Sequence, residues 1–182
     1  MKLGYGDPPY IGQAKRHYSN DPSGIEAEEV DHYVLIKKLL TNYDGWALSA
    51  SSPSMFQIIP IINELNTEHK TIRVAAWAKS FCSWKPTQRV QYTWEPVFFS
   101  PVRERGSKSV PSIRDYLVCR MTMKKGTHGC KPLEFNTWIL NLMGYQYGDT
   151  VDDLYPGTGG MSEAIKNWKP EEWKKDKKKE DL

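Results

Sequence analysis

Lys2-Leu3-Gly4-Tyr5-Gly6-Asp7-Pro8-Pro9-Tyr10 opens the chain and decides how the rest is read. The first five residues are short and apolar enough for a buried strand. Asp7-Pro8-Pro9 then stops it. Working outward, the same rhythm recurs. Glu26 to Tyr43 places Val30, Tyr33, Val34, Ile36, Leu39 and Leu40 at helical spacing, with acids early and lysines later, as the helix dipole favours. Asp44-Gly45 is a turn, and Trp46 to Ala50 a second short apolar run. Ser51-Ser52-Pro53-Ser54 opens another helix, through about Leu65, that Pro60 should kink or break.

Ile72 to Ala78 and Val90 to Phe99 read as the third and fourth strands, the latter rich in β-formers. Arg103 to Gly129 is loop-rich, with one strand near Tyr116 to Met121. Pro132 to Met143 is a helix with proline in its first turn. Thr150 to Tyr155 is a further strand, Gly157 to Gly160 a glycine-rich turn, and Met161 to Trp168 a last helix. Strands alternating with helices predict an α/β fold with a largely parallel sheet. In such sheets the ligand lies beyond the carboxyl ends of the strands. Two loops there are chemically unusual: Asp7 to Tyr10, and Tyr155 to Gly160.

Composition sets the limits. The 182 residues suit one domain, 1–168, with a basic loop-rich insertion at about 101–130 and a charged tail after it. Apolar residues are 39% and aromatics 12%, too many for a disordered chain. No 18-residue apolar run offers a membrane span, and the N-terminus has no signal-peptide core. These features argue against a secreted, membrane or fibrous protein. Three scattered cysteines and four scattered histidines give neither a disulfide framework nor a metal signature. The net charge of +3 permits a nucleic-acid partner without demanding one. Its distribution says more. Arg103, Arg105, Lys108, Arg114, Arg120, Lys124, Lys125 and Lys131 face only Glu104 and Asp115 in that stretch. The patch is either a solvated loop surface or a set of phosphate contacts. The tail from Lys169 sets six lysines against five acids, so it is roughly self-neutralising and reads as solvated or disordered.

The first loop suits a planar amine. Pro8 and Pro9 fix the backbone and remove two N–H donors. A carboxylate, carbonyls and an aromatic ring remain. The Asp7 carboxylate and the Pro8 carbonyl can accept hydrogen bonds from an exocyclic NH2, and Tyr10 can stack on the ring that carries it. The bland alternative is a turn after a strand. In the second loop, glycines between a strand and a helix let a ligand approach the backbone at a helix N-terminus. A plain strand-to-helix turn would look the same.

Together the two loops resemble the S-adenosylmethionine (SAM)-dependent amino-methyltransferases. In that family a DPPY loop is catalytic, and D-[LP]-[FY]-x-G-[ST]-G holds the methionine part of the cofactor. Asp7-Pro8-Pro9-Tyr10 and Asp153-Leu154-Tyr155-Pro156-Gly157-Thr158-Gly159 match these motifs. DPPY preceding the Gly-rich loop is similar to the circularly permuted β-group, typified by adenine-N6 DNA methyltransferases. Trp77-Ala78-Lys79, followed by Arg89, Tyr92 and Glu95, resembles that family's W-x-K, R and E pattern. Lys131-Pro132 resembles its KP, and Asp149 to Asp153 its G-D-x-V-x-D. Asp7 to Ala14 also match a compact phage and actinobacterial set with DPPYxGQA openings.

The resemblance, over residues 1–168, implies a Rossmann-like methyltransferase sheet, circularly permuted and reduced. The strand that normally follows the Gly-rich helix, and ends in a ribose-binding acid, has no counterpart after Trp168. It implies methyl transfer from SAM to a nucleobase exocyclic amine, adenine N6 in DNA by family habit. Asp7, Pro8, Pro9 and Tyr10 would be catalytic. Asp153, Tyr155, Gly157, Thr158, Gly159 and Lys131 would hold the cofactor. Ser49, Trp77 and Lys79 could line the base pocket, although Ser49 and Ser51 also read as helix caps and Trp77 as core. Arg103, Arg105, Lys124 and Lys125 could contact substrate, and Gln13, Lys15 and Arg16 phosphate. RNA adenine, cytosine N4, and a silent nucleic-acid-binding or partner subunit remain alternatives. A cytoplasmic setting, in a bacterium or phage-infected host, goes with the family, as does a homodimer or partner subunit. No membrane partner is expected.

Overall fold

A computed structural model describes residues 1–12, 29–81, 85–103, 112–121 and 130–170. Six strands form one sheet: β1 (Lys2–Gly6), β2 (Gly45–Ser49), β3 (Arg73–Lys79), β4 (Trp94–Ser100), β5 (Tyr116–Cys119) and β6 (Thr150–Asp153). Their order is β5-β3-β4-β2-β1-β6. Four helices accompany them among the described residues: α1 (His32–Asn42), α2 (Met55–Leu65), α3 (Leu133–Met143) and α4 (Gly160–Asn167). None is long and apolar enough to cross a membrane.

The helices lie on both faces. Leu35, Ile36, Leu39 and Leu40 of α1, with Ile58 and Ile62 of α2, pack on Trp46, Leu48 and Phe98. On the other face Phe135, Ile139 and Met143 of α3, with Met161 and Ala164 of α4, pack on Leu3, Tyr5, Ala47, Trp77, Val97 and Phe99. Alternation along each strand sends successive residues to opposite cores. Leu48 goes to one and Ala47 to the other.

The sheet is largely parallel, as expected, with β4 alone reversed among the described strands. β1 runs parallel to β2 and β6, and β3 parallel to β5, but β4 runs antiparallel to both β2 and β3. A parallel return needs a crossover, usually a helix. Among the described residues of the β3–β4 link there is instead a turn, in which the Gln91 side chain bonds the backbone of Lys85 and Gln88. That turn also explains why β4 starts at Trp94 and not at Val90.

Two helices differ from expectation. α1 begins at His32, because the Asp31 carboxylate caps the amides of Tyr33 and Val34 at 2.9 and 3.1 Å. The early acids therefore precede the helix; Glu29 accepts from the Gly12 amide instead. α2 continues through Pro60 without a break. The carbonyl that Pro60 cannot bond belongs to Phe56, one of the most exposed residues, where water can reach it. The tail beyond 170 lies outside the described residues.

Candidate functional site

β1 leads to α1 on one face of the sheet, while β6 leads to α4 on the other. The loops leaving these two adjacent strands therefore diverge at their carboxyl ends, the switch point at which α/β sheets form a ligand crevice. Asp7-Pro8-Pro9-Tyr10 leaves β1 here, and the Gly-rich turn leaves β6. β1 and β6 are held in register by Leu3 opposite Val151 and Tyr5 opposite Asp153.

The second loop is shaped for a backbone approach. Gly157 and Gly159 have φ of 47° and 78°. A Cβ at Gly159 would meet nothing within 4 Å, and one at Gly157 only the Tyr155 carbonyl oxygen at 3.9 Å. The turn is therefore open above and leads into the N-terminus of α4. Behind it the packing is tight. A Cβ at Gly160 would stand 2.6 Å from the Asn136 amide of α3. Asp153, half-buried, accepts from the Tyr155 amide at 3.2 Å, and burial raises its carboxyl above the ordinary range. Tyr155 and Thr158 lie on the same turn, and the Thr158 hydroxyl is 3.4 Å from Cys130 Sγ.

Lys131 joins the two loops. Cys130 and Lys131 lie beside the Gly-rich turn, while Lys131 Nζ reaches across to the first loop. It donates to Tyr10 Oη at 2.9 Å and Glu95 Oε2 at 2.8 Å, and lies 3.4 Å from Asp7 Oδ1. Tyr10 Oη donates to the same Glu95 oxygen at 2.5 Å. Lys79 Nζ donates to Glu95 Oε1. Two lysines and two carboxylates thus form one nearly buried network, floored by aromatic rings. Trp77 lies 5.1 Å beneath Lys131 Nζ and 5.3 Å beneath that of Lys79.

Burial and charge drive the two carboxyls in opposite directions. Desolvation raises Asp7 to about 6; Lys131 opposes the rise, while Glu95 and Asp153 add to it. Desolvation also acts to raise Glu95, but Lys131 and Lys79 overcome it and hold the group at about 2. Burial alone would lower Lys131, yet Asp7 and Glu95 raise it, so it stays an ammonium. At neutral pH the cluster is therefore a fixed ion network with one adjustable member, Asp7.

Other predicted residues take structural places. Ser49, buried at the end of β2, shares a 3.1 Å hydrogen bond with Tyr5 Oη under the site. It caps no helix. Ser51 instead shares a bond with Ser54 ahead of α2. Trp77 is both core and floor: it is buried, donates to Cys119 Sγ at 3.1 Å and packs 4.7 Å from Phe135. Arg103 sits elsewhere. Its guanidinium bonds Asp149 at 2.8 and 3.1 Å and the Gly144 carbonyl at 2.7 Å. Because β4 runs antiparallel, the residues that follow it lie at the amino ends of β1 and β6, away from the crevice. Arg103 clamps Asp149 to the Gly144 carbonyl there. Arg105, Lys124, Lys125, Gln13, Lys15 and Arg16 lie outside the described residues.

Glu95 is a site residue that the sequence marks only through the W-x-K, R and E resemblance, without assigning it a role. Only the antiparallel pairing, which sets Glu95 opposite Trp77, brings it to Lys79 and Lys131.

No protein-family model and no curated protein sequence matches the chain. Its architecture is a Rossmann-like α/β sheet, as expected, and solved structures share it. The crystal structure of the M1.HpyAVI–SAM complex matches with a TM-score of 0.60 at 15% identity, covering 92% of this chain and 78% of that one. The crystal structure of M1.HpyAVI gives 0.50 at 16% identity, covering 92% and 87%. At these identities the likeness establishes the fold.

Proposed function

We propose that the chain transfers a methyl group from SAM to the exocyclic amine of a nucleobase, with adenine N6 in DNA as the acceptor. The observation that carries this reading is the meeting of the Asp7-Pro8-Pro9-Tyr10 loop and the open Gly157–Gly159 turn at one crevice, joined by Lys131. The shared fold of M1.HpyAVI, crystallised as a SAM complex, supports it. So does the order of the motifs, which fits a single permuted methyltransferase domain over residues 1–168.

The residues fit the cofactor. The positive φ and open space at Gly157 and Gly159 leave room for a methionine moiety against the backbone, and Asp153 would accept from its ammonium. Tyr155, Thr158 and the backbone beside Lys131 would wall the same end. When bound, SAM supplies an electrophilic methyl group, which the amine takes up as the carbon–sulfur bond breaks.

The chain's part is placement. The Asp7 carboxylate and the Pro8 carbonyl accept the two amine hydrogens and hold the nitrogen lone pair toward the Gly-rich turn. Tyr10 stacks on the base, its hydroxyl fixed by Glu95 and Lys131. Lys131 keeps Asp7 in position. After transfer the nitrogen is acidic, and Asp7 or water takes its proton. Positioning and preorganised charge supply the acceleration. The base must be single-stranded or flipped out of a duplex to reach Asp7.

Calorimetric titration with SAM tests the cofactor half of this reading. Saturable binding that weakens in Asp153→Ala and survives in Asp7→Ala is expected. No heat and no saturation with the folded chain would move the weight to a silent nucleic-acid-binding subunit.

A further inference from the structure

The face of the sheet that carries α1 and α2 has an uncovered end. Strand register sets Trp94, Ala78 and Val118 in one row across β4, β3 and β5, and Pro96, Ala76 and Tyr116 in the next. Val74 follows on β3. Trp94, Val74, Tyr116 and Val118 are 40, 42, 48 and 56% exposed. Two alanines therefore form a low floor between an exposed indole and an exposed phenol. Flat sheet faces with projecting rings are platforms on which unstacked bases lie.

The charge bordering this shelf among the described residues is mostly basic. Residues 85–94 hold Lys85 and Arg89 and no acid. The Arg114 guanidinium lies 5.6 Å over the Tyr116 ring and bonds its hydroxyl at 2.7 Å. The neighbouring acid, Asp115, is bonded to Arg73 at 2.7 Å. A ligand with π-faces and a polyanionic backbone complements both features at once. The shelf also borders the site across the edge of the sheet. Ala78 precedes Lys79, and Trp94 precedes Glu95, each of the latter turned to the other face and into the ion network.

We propose that this face of β3, β4 and β5, with Trp94 and Tyr116 as its rings, docks single-stranded nucleic acid and feeds it to the carboxyl edge of the sheet. The inference rests on the nucleic-acid reading of the proposed function and names the form of the polymer.

Fluorescence anisotropy tests it, with labelled single-stranded DNA and RNA of about 12 nucleotides, within the span one such platform contacts, and the matching duplex. Single strands should bind more tightly than the duplex. Trp94→Ala and Tyr116→Ala should each weaken them about five-fold or more. Trp94→Phe and Tyr116→Phe, which keep a ring, should hold most of the affinity. Lys85→Ala with Arg89→Ala should flatten the salt dependence by about 0.7 per lost phosphate contact. Photocrosslinking of bromouridine strands to the wild-type chain requires no variant to fold, and should label peptides containing Trp94 or Tyr116. Ring-independent binding, no binding, or crosslinks confined elsewhere would overturn the proposal. So would a dimer in sedimentation that Tyr116→Ala dissociates, which would give the face to a second copy. Ring-dependent binding without any methylation would leave the docking surface standing and remove only the reaction. Methylation with ring-independent binding would do the reverse.

Discussion

Lys131 Nζ stands 3.4 Å from the Asp7 carboxylate, although one residue lies just ahead of α3 and the other just after β1. The contact ties the two divergent loops across the crevice. It also makes Lys131 a member of the Asp7 loop's charge network as well as a neighbour of the Gly-rich turn. Removing the ammonium would leave Asp7 and Glu95 facing each other in a nearly buried place. Lys131→Met is expected to cost about 3–5 kcal/mol. Denaturant titration checks it, with Lys131→Arg as the milder comparison.

On the proposed function, Asp7 should set the pH dependence of methyl transfer. Its carboxyl, ordinarily at 3.8, titrates at about 6 in the folded chain. The ionised form accepts from an amine more strongly than the protonated one, which also turns an O–H donor toward it. Methyl transfer should therefore rise as pH passes upward through about 6. Glu95→Gln removes a negative neighbour that raises Asp7, so it should move that midpoint downward. A pH–rate profile of the two proteins checks the shift.

Stability should respond to the same groups with opposite signs. Asp7 is raised in the folded state, so its share of stability is present below 3.8 and lost as pH rises through about 6. Glu95 and Asp149 are lowered to about 2, so their shares are present above about 4.5 and 3.8 and lost as pH falls toward 2. Unfolding curves across pH 2 to about 7 should show a loss at the acid end and a smaller fall near 6; in Asp7→Asn the second feature should be absent.

Gly4 faces the Tyr43 ring, where a Cβ would lie 2.7 Å from Cδ2. That ring cannot swing freely. Its hydroxyl donates to Asp152 at 3.1 Å, and Lys2 Nζ lies 5.0 Å over its face. Gly4→Ala should destabilise by about 1–3 kcal/mol through overpacking. Thermal melts check it, and Tyr43→Leu in the same chain should recover part of the loss.

Arg103 should behave as a clamp. Its bonds to Asp149 and Gly144 sit at the amino ends of β1 and β6, beside the N-terminal ammonium on the same carboxylate at 3.0 Å. Arg103→Ala should lower stability by about 1–3 kcal/mol, because Asp149 is buried. It should leave the salt dependence of nucleic-acid binding unchanged.

Much of this was legible in the sequence wherever local chemistry decides structure. Gly6-Asp7-Pro8-Pro9 ends a strand whatever surrounds it, and Gly157 and Gly159 show a turn needing positive φ. The direction of β4 was not legible, because a β-rich run fixes extension and not orientation. Glu95 gained its meaning only from that direction. Arg103 reads as a phosphate contact by its basic neighbours, yet the antiparallel β4 carries it to the far edge and to Asp149. Pro60 reads as a breaker, and only its exposed place on α2 shows why the helix tolerates it.

The central claim is methyl transfer directed by Asp7. The most direct measurement incubates the purified chain with isotope-labelled SAM and, separately, DNA and RNA, and identifies the methylated nucleosides by mass spectrometry. Labelled N6-methyldeoxyadenosine from DNA, lost in Asp7→Ala while SAM binding persists, is the predicted result. A SAM-binding chain that labels no nucleoside in either polymer, or labels them equally in Asp7→Ala, would contradict the account.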